Sequence, residues 1–148
     1  MSVDVRADAA LLQEQVVAFV RAFGLHRPSE TPCGKPVPVS EAHALAELAR
    51  DDGLTQRDLA ARLRLEKSTV SRLAGQLVSR GWAERGPHPT DGRAVLVRLT
   101  ESGERIAAEI EEARRRRFAS LLDRIPEDAR EDVLRVLGTL REALDDDA

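Results

Sequence analysis

The feature that most constrains the fold lies between Thr55 and Thr100, where the spacing of apolar residues changes from helical to strand-like across well-marked turns. Two helical stretches flank a short turn at Leu63 to Glu66, and two strand-like stretches follow, at Trp82 to Arg85 and Ala94 to Leu99. The residues between the two strands, Gly86 to Arg93, are rich in turn formers. Two helices joined by a tight turn and followed by a hairpin predict a winged helix-turn-helix.

The rest of the chain is predicted to be helical. Aromatic residues make up only 3% of the sequence, so Leu, Ala and Val must fill the core, and Leu and Ala are strong helix formers. We predict helices at Ala9 to Phe23, Ser40 to Arg50, Thr100 to Arg124 and Glu127 to Leu144, with a proline-rich loop at Arg27 to Val39. The fold class is therefore mainly α, with a small two-to-three-stranded β wing.

Several residues are predicted to mark helix ends. Ser40, Thr55 and Thr100 are expected N-caps, and Asp58 lies three residues after Thr55, close to a capping box. Gly81 follows the second helix of the motif, at the usual place of a left-handed C-cap. The residues of the 40–50 helix predicted to face inward are Ala42, Leu45, Leu48 and Ala49.

The apolar stripes of the terminal helices predict a homodimer, because a chain of 148 residues cannot comfortably bury them alone. We therefore divide the chain, which we expect to form one compact structural unit, into three segments. Residues 1–39 form an N-terminal dimerisation helix and loop, residues 40–100 a winged helix-turn-helix lobe, and residues 101–148 the C-terminal dimerisation helices.

The charge of the chain is unevenly distributed. The formal net charge is −3, which alone argues against a nucleic-acid partner. Between Arg57 and Arg98, however, nine basic and four acidic residues give a net charge of +5, so the rest of the chain carries −8. Because phosphate binding depends on the local field of one face, this distribution favours duplex DNA as a partner of the motif.

The second helix of the motif, Glu66 to Arg80, has two chemically different faces. Its predicted buried face holds Val70, Leu73, Ala74, Leu77 and Val78. Its outer face holds Lys67, Ser68, Ser71, Arg72 and Gln76, with Thr69 at the border. Such a helix fits a major groove about 12 Å wide, where Arg pairs with guanine, Gln with adenine, and hydroxyls reach bases or phosphates. We predict that these six residues bind DNA, although an ordinary solvated face is the alternative.

Two further elements are predicted to contact DNA. Thr55 and Gln56 lie at the start of the preceding helix, whose free amide groups suit a phosphate. At the hairpin tip, Arg93 is positioned to enter the narrow minor groove, where negative potential attracts it. We predict that Asp91 supports Arg93 through an ion pair across the turn, although an ordinary polar turn would use the same residues.

These residues also resemble a known family, the MarR regulators of bacteria. The resemblance covers nearly the whole chain, and its most specific part is the Asp-x-Arg of the hairpin followed by Leu-Thr-x-x-Gly. The matching segments are Leu54 to Ala60, Lys67 to Leu73, Gly81-Trp82, Asp91 to Arg93 and Leu99 to Gly103.

The resemblance implies an obligate homodimer on a pseudo-palindromic operator, with interleaved terminal helices. Recognition helices would occupy successive major grooves, and Arg93 the flanking minor groove. It also implies a repressor that leaves DNA when a small phenolic or lipophilic effector binds. The effector pocket implied between the dimer helices and the DNA-binding lobe has four candidate lining residues, which are Phe19, Phe23, His43 and Leu48.

Two alternative signals would change what such a regulator senses. Cys33, the single cysteine, lies near Lys35 in the proline-rich loop and is a candidate redox sensor. Zinc is the other possibility, because four ligand-type residues surround the same loop, namely His26, Cys33, Glu41 and His43. The helix after the hairpin offers carboxylates but no histidine, so this zinc set is incomplete and we assign no metal site.

Other classes of protein are less compatible with the sequence. A winged-helix module for protein contacts would present apolar anchors where this chain has polar and basic residues. An enzyme is not predicted, because there is no glycine-rich phosphate loop and no nucleophile–base pairing, and no cofactor is expected. The chain shows neither a secretory signal nor an apolar run near the ~20 residues of a membrane span. We therefore expect a cytoplasmic protein without membrane contacts.

Overall fold

The computed structural model describes residues 4–145, and that range contains six helices and one small sheet. The helices are α1 (Val5–Phe23), α2 (Val39–Leu48), α3 (Gln56–Leu63), α4 (Lys67–Ser79), α5 (Glu101–Asp123) and α6 (Glu127–Asp145). The strands are β1 (Leu54–Thr55), β2 (Ala83–Pro87) and β3 (Val95–Leu99). Two compact units are present, one extending to Ala113 and one beginning at Arg114. This architecture confirms the predicted mainly α fold, and the sheet has three strands where two to three were predicted.

The helix ends follow local capping chemistry. Thr55 and Thr100 both act as predicted, because their hydroxyl oxygens accept the N–H groups of Asp58 and Gly103, each at 3.1 Å. Gly81 has the expected left-handed conformation, with φ of 75°. The predicted cap at Ser40 is wrong, because α2 begins one residue earlier, directly after Pro38. Proline presets a φ compatible with helix entry, so no side-chain cap is needed there.

The sheet has the order β1-β3-β2, and all of its strands are antiparallel. The strict alternation expected along β3 is not observed, because Leu96 and Val97 are both buried while Val95 is exposed. Val97 faces the core, whereas Leu96 lies under the turn that precedes β1. A Cβ atom placed on Gly53 in that turn would lie 3.4 Å from Leu96 Cδ1. The turn that leads into β1 therefore covers Leu96 on the second face of β3.

The core of the first unit is aliphatic and lies between α2, α3, α4, β3 and the first turns of α5. Its largest fully buried side chains are Leu45, Leu48, Leu59, Val70, Leu77, Val97 and Ile110. In α2, Ala44 rather than the predicted Ala49 faces this core. Ala49 is the C-cap of α2 and is exposed at the end of that helix.

The junction between β2 and α5 is very tight. The carbonyl oxygen of Trp82 accepts the N–H of Thr100 at 3.0 Å, and the Thr100 hydroxyl donates to the carbonyl oxygen of Gly81 at 2.6 Å. A Cβ atom on Gly103 would lie 1.9 Å from the Trp82 oxygen, so only glycine fits there. This explains the Leu-Thr-x-x-Gly pattern as the joint that attaches the hairpin to α5.

The two terminal helices bury no residue fully in a single subunit. In the first unit, α1 exposes Leu11, Leu12, Val16, Val17 and Phe19. In the second unit, α6 exposes Leu134, Val136, Leu137 and Leu144. Among the described residues, no helix is both long and apolar enough to cross a membrane.

Candidate nucleic-acid interface

The helix-turn-helix presents α4 with one face fixed and the other open. Its inner face is anchored in the core by Val70, Leu73, Ala74 and Leu77, all of them buried. The turn before it is closed by Arg64, which adopts a left-handed conformation with φ of 54° and donates its N–H to the carbonyl oxygens of α3. This arrangement fixes the direction in which α4 points.

The predicted outer face of α4 is found on the surface. Its exposed members are Lys67, Ser68, Ser71, Arg72 and Gln76, and Thr69 is half-buried at the border, as its predicted position requires. Within residues 4–145, neither the ammonium of Lys67 nor the guanidinium of Arg72 has an ion-pair partner. Both cations are therefore available to an external anion.

At the start of α3, Thr55, predicted to contact a phosphate, also caps the helix. The Thr55 hydroxyl is engaged as the N-cap of α3, and Thr55 and Gln56 are both half-buried. The Thr55 oxygen accepts the N–H of Asp58, so this hydroxyl can still donate its proton to a phosphate.

One basic residue of this surface escaped the sequence analysis. Arg85 on β2 is exposed, and its Nη2 lies 3.4 Å from the carbonyl oxygen of Ser71 on α4. It therefore links the hairpin to the outer face of α4. The sequence analysis includes Arg85 only in the count of basic residues. Its contact with α4 was not predicted, because that contact joins residues far apart in the chain.

The hairpin between β2 and β3, residues 83–99, is called the wing, and residues 88–94 are called the wing tip. The Asp91 carboxylate accepts the backbone N–H of Arg93 at 3.0 Å. The contact therefore reaches the Arg93 backbone, not its guanidinium as the predicted ion pair required. The reason is the short Asp side chain, which caps its own turn more readily than it spans it. The Arg93 side chain remains exposed.

The wing tip contains a second organising residue that the sequence analysis did not identify. Nδ1 of His88 accepts the N–H groups of Thr90 and Asp91 at 3.2 and 3.0 Å. The backbone N–H of His88 donates to the carbonyl oxygen of Ala94 at 3.3 Å. The N–H of Ala94 donates to the carbonyl oxygen of Asp91 at 3.1 Å. Side-chain acceptors thus organise a turn that lies beyond the strands.

A buried carboxylate holds the C-terminal end of α4. Glu41 on α2 is 2% exposed, and its Oε2 lies 3.0 Å from Nη2 of Arg80. Nε of Arg80 donates to Oε1 of the same carboxylate at 3.3 Å, and the guanidinium lies over the Trp82 ring at 4.9 Å. This chain of contacts connects α2, the end of α4 and Trp82, the residue directly before the wing.

The four residues considered as zinc ligands are used otherwise or lie apart. Glu41 is paired with Arg80, His26 and His43 are exposed, and Cys33 Sγ lies 2.8 Å from the Thr31 hydroxyl. No group of three His, Cys, Asp or Glu side chains in the described part of the chain could share a metal ion.

The candidate pocket residues occupy different environments. Phe19 and Phe23 stack on α1 with ring centroids 5.5 Å apart, and Phe19 is exposed. His43 is exposed on α2, whereas Leu48 is 1% exposed in the aliphatic core. In a single subunit, Leu48 therefore does not share an open surface with the others.

A polar cleft opens instead at the end of α2. It is lined by Glu47, Arg50, Asp51 and Arg62. Nη1 of Arg62 lies 2.5 Å from Asp51 Oδ2 and 3.6 Å from Glu47 Oε2. The hydrogen bond that Arg62 donates to the Asp51 carboxylate raises the pKa of the Arg62 guanidinium above its usual value. This ion-pair network ties α3 to the end of α2.

Comparisons with known proteins point to one family. The model of the MarR family matches residues 35–94. A helix-turn-helix transcriptional regulator of Mycobacterium bovis is 35% identical over 140 residues, which is 95% of this chain and 94% of the relative.

Solved structures show the same fold. FabT of Streptococcus pneumoniae, solved in complex with DNA, superimposes with a TM-score of 0.74 at 20% identity, covering 97% of this chain and 98% of that one. The PcaV transcriptional regulator of Streptomyces coelicolor, solved with its natural ligand, gives a TM-score of 0.69 at 22% identity, covering 97% and 99%.

Proposed function

Because this chain belongs to the MarR family of helix-turn-helix transcriptional regulators, we propose that it is a homodimeric repressor that binds a pseudo-palindromic DNA operator. The observation that carries this proposal is the outer face of α4. Lys67 and Arg72, which have no ion-pair partner within residues 4–145, lie there beside short hydroxyl and amide side chains. The other face of the same helix is anchored in the core.

We assign α4 to the major groove. Arg72 and Gln76 would read base edges, with Arg72 the best candidate for a bidentate contact to guanine. Lys67, Ser68, Thr69 and Ser71 would contact phosphates and neighbouring bases, which positions the helix without specifying sequence. Thr55 and Gln56 would hold a phosphate at the start of α3.

We assign the wing to the minor groove. Arg93 extends from a tip that is stabilised by Asp91, and a cationic side chain at that position can enter a narrow groove of high negative potential. Arg85, which joins the wing to α4, would contact the phosphates between the two grooves.

The dimer is proposed on the exposed apolar residues of the terminal helices. The α1 and α6 helices bury no residue fully in one subunit, and large apolar side chains left in water are typical of an unformed interface. Segments 1–39 and 101–148 would then supply the dimerisation helices, and segment 40–100 the DNA-binding lobe.

Release by a small-molecule effector is proposed from the resemblance to the family, and the likeness to a regulator solved with its natural ligand is compatible with it. Phe19, Phe23 and His43 are the residues that we assign to effector contacts. Leu48 would reach an effector only if the core opened, because it is 1% exposed.

The experiment that tests the function is fluorescence anisotropy with the purified full chain at ~0.15 M salt. The labelled duplex carries the intergenic DNA upstream of its own coding sequence, and a scrambled duplex is the control. We expect specific binding at least ~10³-fold tighter than binding to the scrambled duplex. Weak, equal binding to both, together with no enriched sequence after selection from random duplexes, would contradict the proposal.

A further inference from the structure

The wing tip depends on a histidine acting as a hydrogen-bond acceptor. Nδ1 of His88 accepts the backbone N–H groups of both Thr90 and Asp91, at 3.2 and 3.0 Å. The Thr90 hydroxyl lies 3.4 Å from the same nitrogen. Two fixed N–H donors therefore converge on one ring nitrogen.

This arrangement is compatible with one protonation state of the ring. A nitrogen that accepts two N–H groups must present its lone pair, so the hydrogen-bond network assigns the ring proton to Nε2. A proton on Nδ1 would turn the acceptor into a donor that faces two other donors. Histidine is also the side chain whose charge normally changes between about pH 5 and pH 8.

The same turn holds the residue assigned to the minor groove. Asp91 donates its N–H to His88 and accepts the N–H of Arg93 through its carboxylate at 3.0 Å. Asp91 is therefore the link between the ring and the backbone of Arg93. A rearrangement at His88 therefore has a direct hydrogen-bonded path, through Asp91, to the backbone of Arg93.

We propose that His88 is a positioning residue for Arg93, whose neutral ring holds the wing in its DNA-binding shape and whose protonation releases it. The proposal rests on the proposed function, because it concerns binding of the wing to DNA. It adds a regulatory input, acidification, that acts on the wing directly rather than through an effector.

Because of the surrounding charges, the direction in which DNA affinity changes on acidification tests the positioning role. The wing tip carries Asp91 and Arg93, and the two strands of the wing carry Glu84, Arg85 and Arg98. Helix α4, which packs against β2, carries Lys67 and Arg72, and Arg80 directly follows it. A proton on His88 adds positive charge to this mainly basic surface, which by itself would strengthen binding to phosphates. The positioning role predicts the opposite, a loss of affinity at low pH.

The test measures affinity for the upstream duplex at about pH 7.5 and about pH 5.5, where histidine changes its charge. Three full-length variants are compared with the wild type. His88→Asn keeps an acceptor that can cap the turn but does not titrate, and His88→Ala removes the acceptor. His26→Gln removes an exposed histidine outside the wing, to which no DNA or effector contact is assigned, and is the matched control.

We expect wild type and His26→Gln to lose about tenfold in affinity on acidification, the effect of one lost charged contact. His88→Asn should bind like wild type at the higher pH and lose much less at the lower pH. His88→Ala should bind weakly at both. Equal pH profiles for wild type and His88→Asn, or tighter wild-type binding at low pH, would overturn the proposal.

A second measurement needs no DNA and separates this proposal from the proposed function. In NMR spectra of the free protein, the amide signals of Thr90, Asp91 and Arg93 should shift with the same midpoint as the His88 ring signals. These shifts should be absent in His88→Asn. If the wild type does not distinguish the two duplexes at any pH, the proposed function fails, and the amide signals alone decide whether His88 controls the wing tip. Amides that ignore the ring titration would refute it.

Discussion

At Gly103 the backbone of α5 approaches the Trp82 carbonyl so closely that a single methyl group cannot be accommodated. The obstacle is main chain on both sides, so a rotamer change cannot relieve it. The Thr100 hydroxyl makes two hydrogen bonds at the same junction, donating to the Gly81 carbonyl oxygen and accepting the Gly103 N–H. A motif that identifies the family in the sequence is thus, in the structure, the attachment of the wing to α5.

We expect Gly103→Ala to lower the free energy of unfolding by about 3 kcal/mol, the upper end of the range for overpacking, because backbone must move. Urea denaturation measures this change. The matched control is Gly75→Ala in α4, where the nearest atom to a new Cβ is the flexible Arg85 Nη2 at 3.9 Å. That variant should gain roughly 0.5–1 kcal/mol from helix propensity. Equal stability of the two variants would contradict the steric argument.

Two arginines are expected to affect DNA binding differently. Arg72→Ala should weaken binding to the upstream duplex by ~1–3 kcal/mol and relax the preference at one base position. Arg93→Ala should weaken binding by a similar ~1–3 kcal/mol, as for one charged contact, and leave the major-groove preference unchanged.

Anisotropy against a set of single-base operator variants separates these two effects. Arg105→Ala is the charge-matched control, because Arg105 is exposed on α5 and pairs with Glu101 at 3.1 Å. Affinities indistinguishable from wild type for Arg72→Ala and Arg93→Ala would show that the wrong side chains were assigned.

At the scale of elements, the caps and breaks are local, whereas the packing of the elements is not. Helices α3 to α6 begin and end within two residues of their predicted limits, because Thr55, Thr100, Gly81 and Pro126 act on their immediate neighbours. The placement of α4, in contrast, depends on Glu41, a residue of another helix that pairs with Arg80. The orientation of α4 is thus set partly by a buried carboxylate on α2.

The cap of α5 can be tested separately from its steric fit. Thr100→Val keeps the shape of the side chain but removes the hydroxyl that accepts from Gly103 and donates to Gly81. We expect a loss of about 1–2 kcal/mol in the free energy of unfolding, as for other lost N-caps. Thr100→Ser, which retains the hydroxyl, should recover most of it. Urea denaturation of both variants decides the matter, and a serine variant as unstable as the valine variant would rule out the hydrogen bonds as the cause.

At the scale of the whole molecule, the exposed apolar residues on α1 and α6 support the proposed dimer. We expect light scattering to give a solution mass near twice the 16.3 kDa of one chain. Leu137→Lys should shift the protein towards the monomer, because Leu137 is 53% exposed on α6 and a lysine there would bring charge into the interface. Val95→Lys, on the wing at 46% exposure, is the matched control and should leave the mass unchanged. A monomeric wild type at micromolar concentration would refute the dimer.

The wing and the outer face of α4 were predictable because their signals are periodic or local. Helical spacing alone separated the buried residues of α4 from Lys67 and Arg72, and the Asp-Gly pair marked the turn that carries Arg93. The roles of His88 and Arg85 were not predictable in this way. The role of His88 depends on the exact path of a turn, and that of Arg85 on a contact between β2 and α4.

Local sequence signals were enough to predict the hairpin, the polar face of α4 and most helix limits, but not the cap of α2, since these signals act within about one turn of chain. Only the tertiary structure decided that Leu96 is covered, that Glu41 is buried against Arg80 and that Gly103 meets the Trp82 carbonyl. Those contacts join residues far apart in the chain. Their partners are chosen by the packing of whole elements, a property that spacing along a single sequence does not encode.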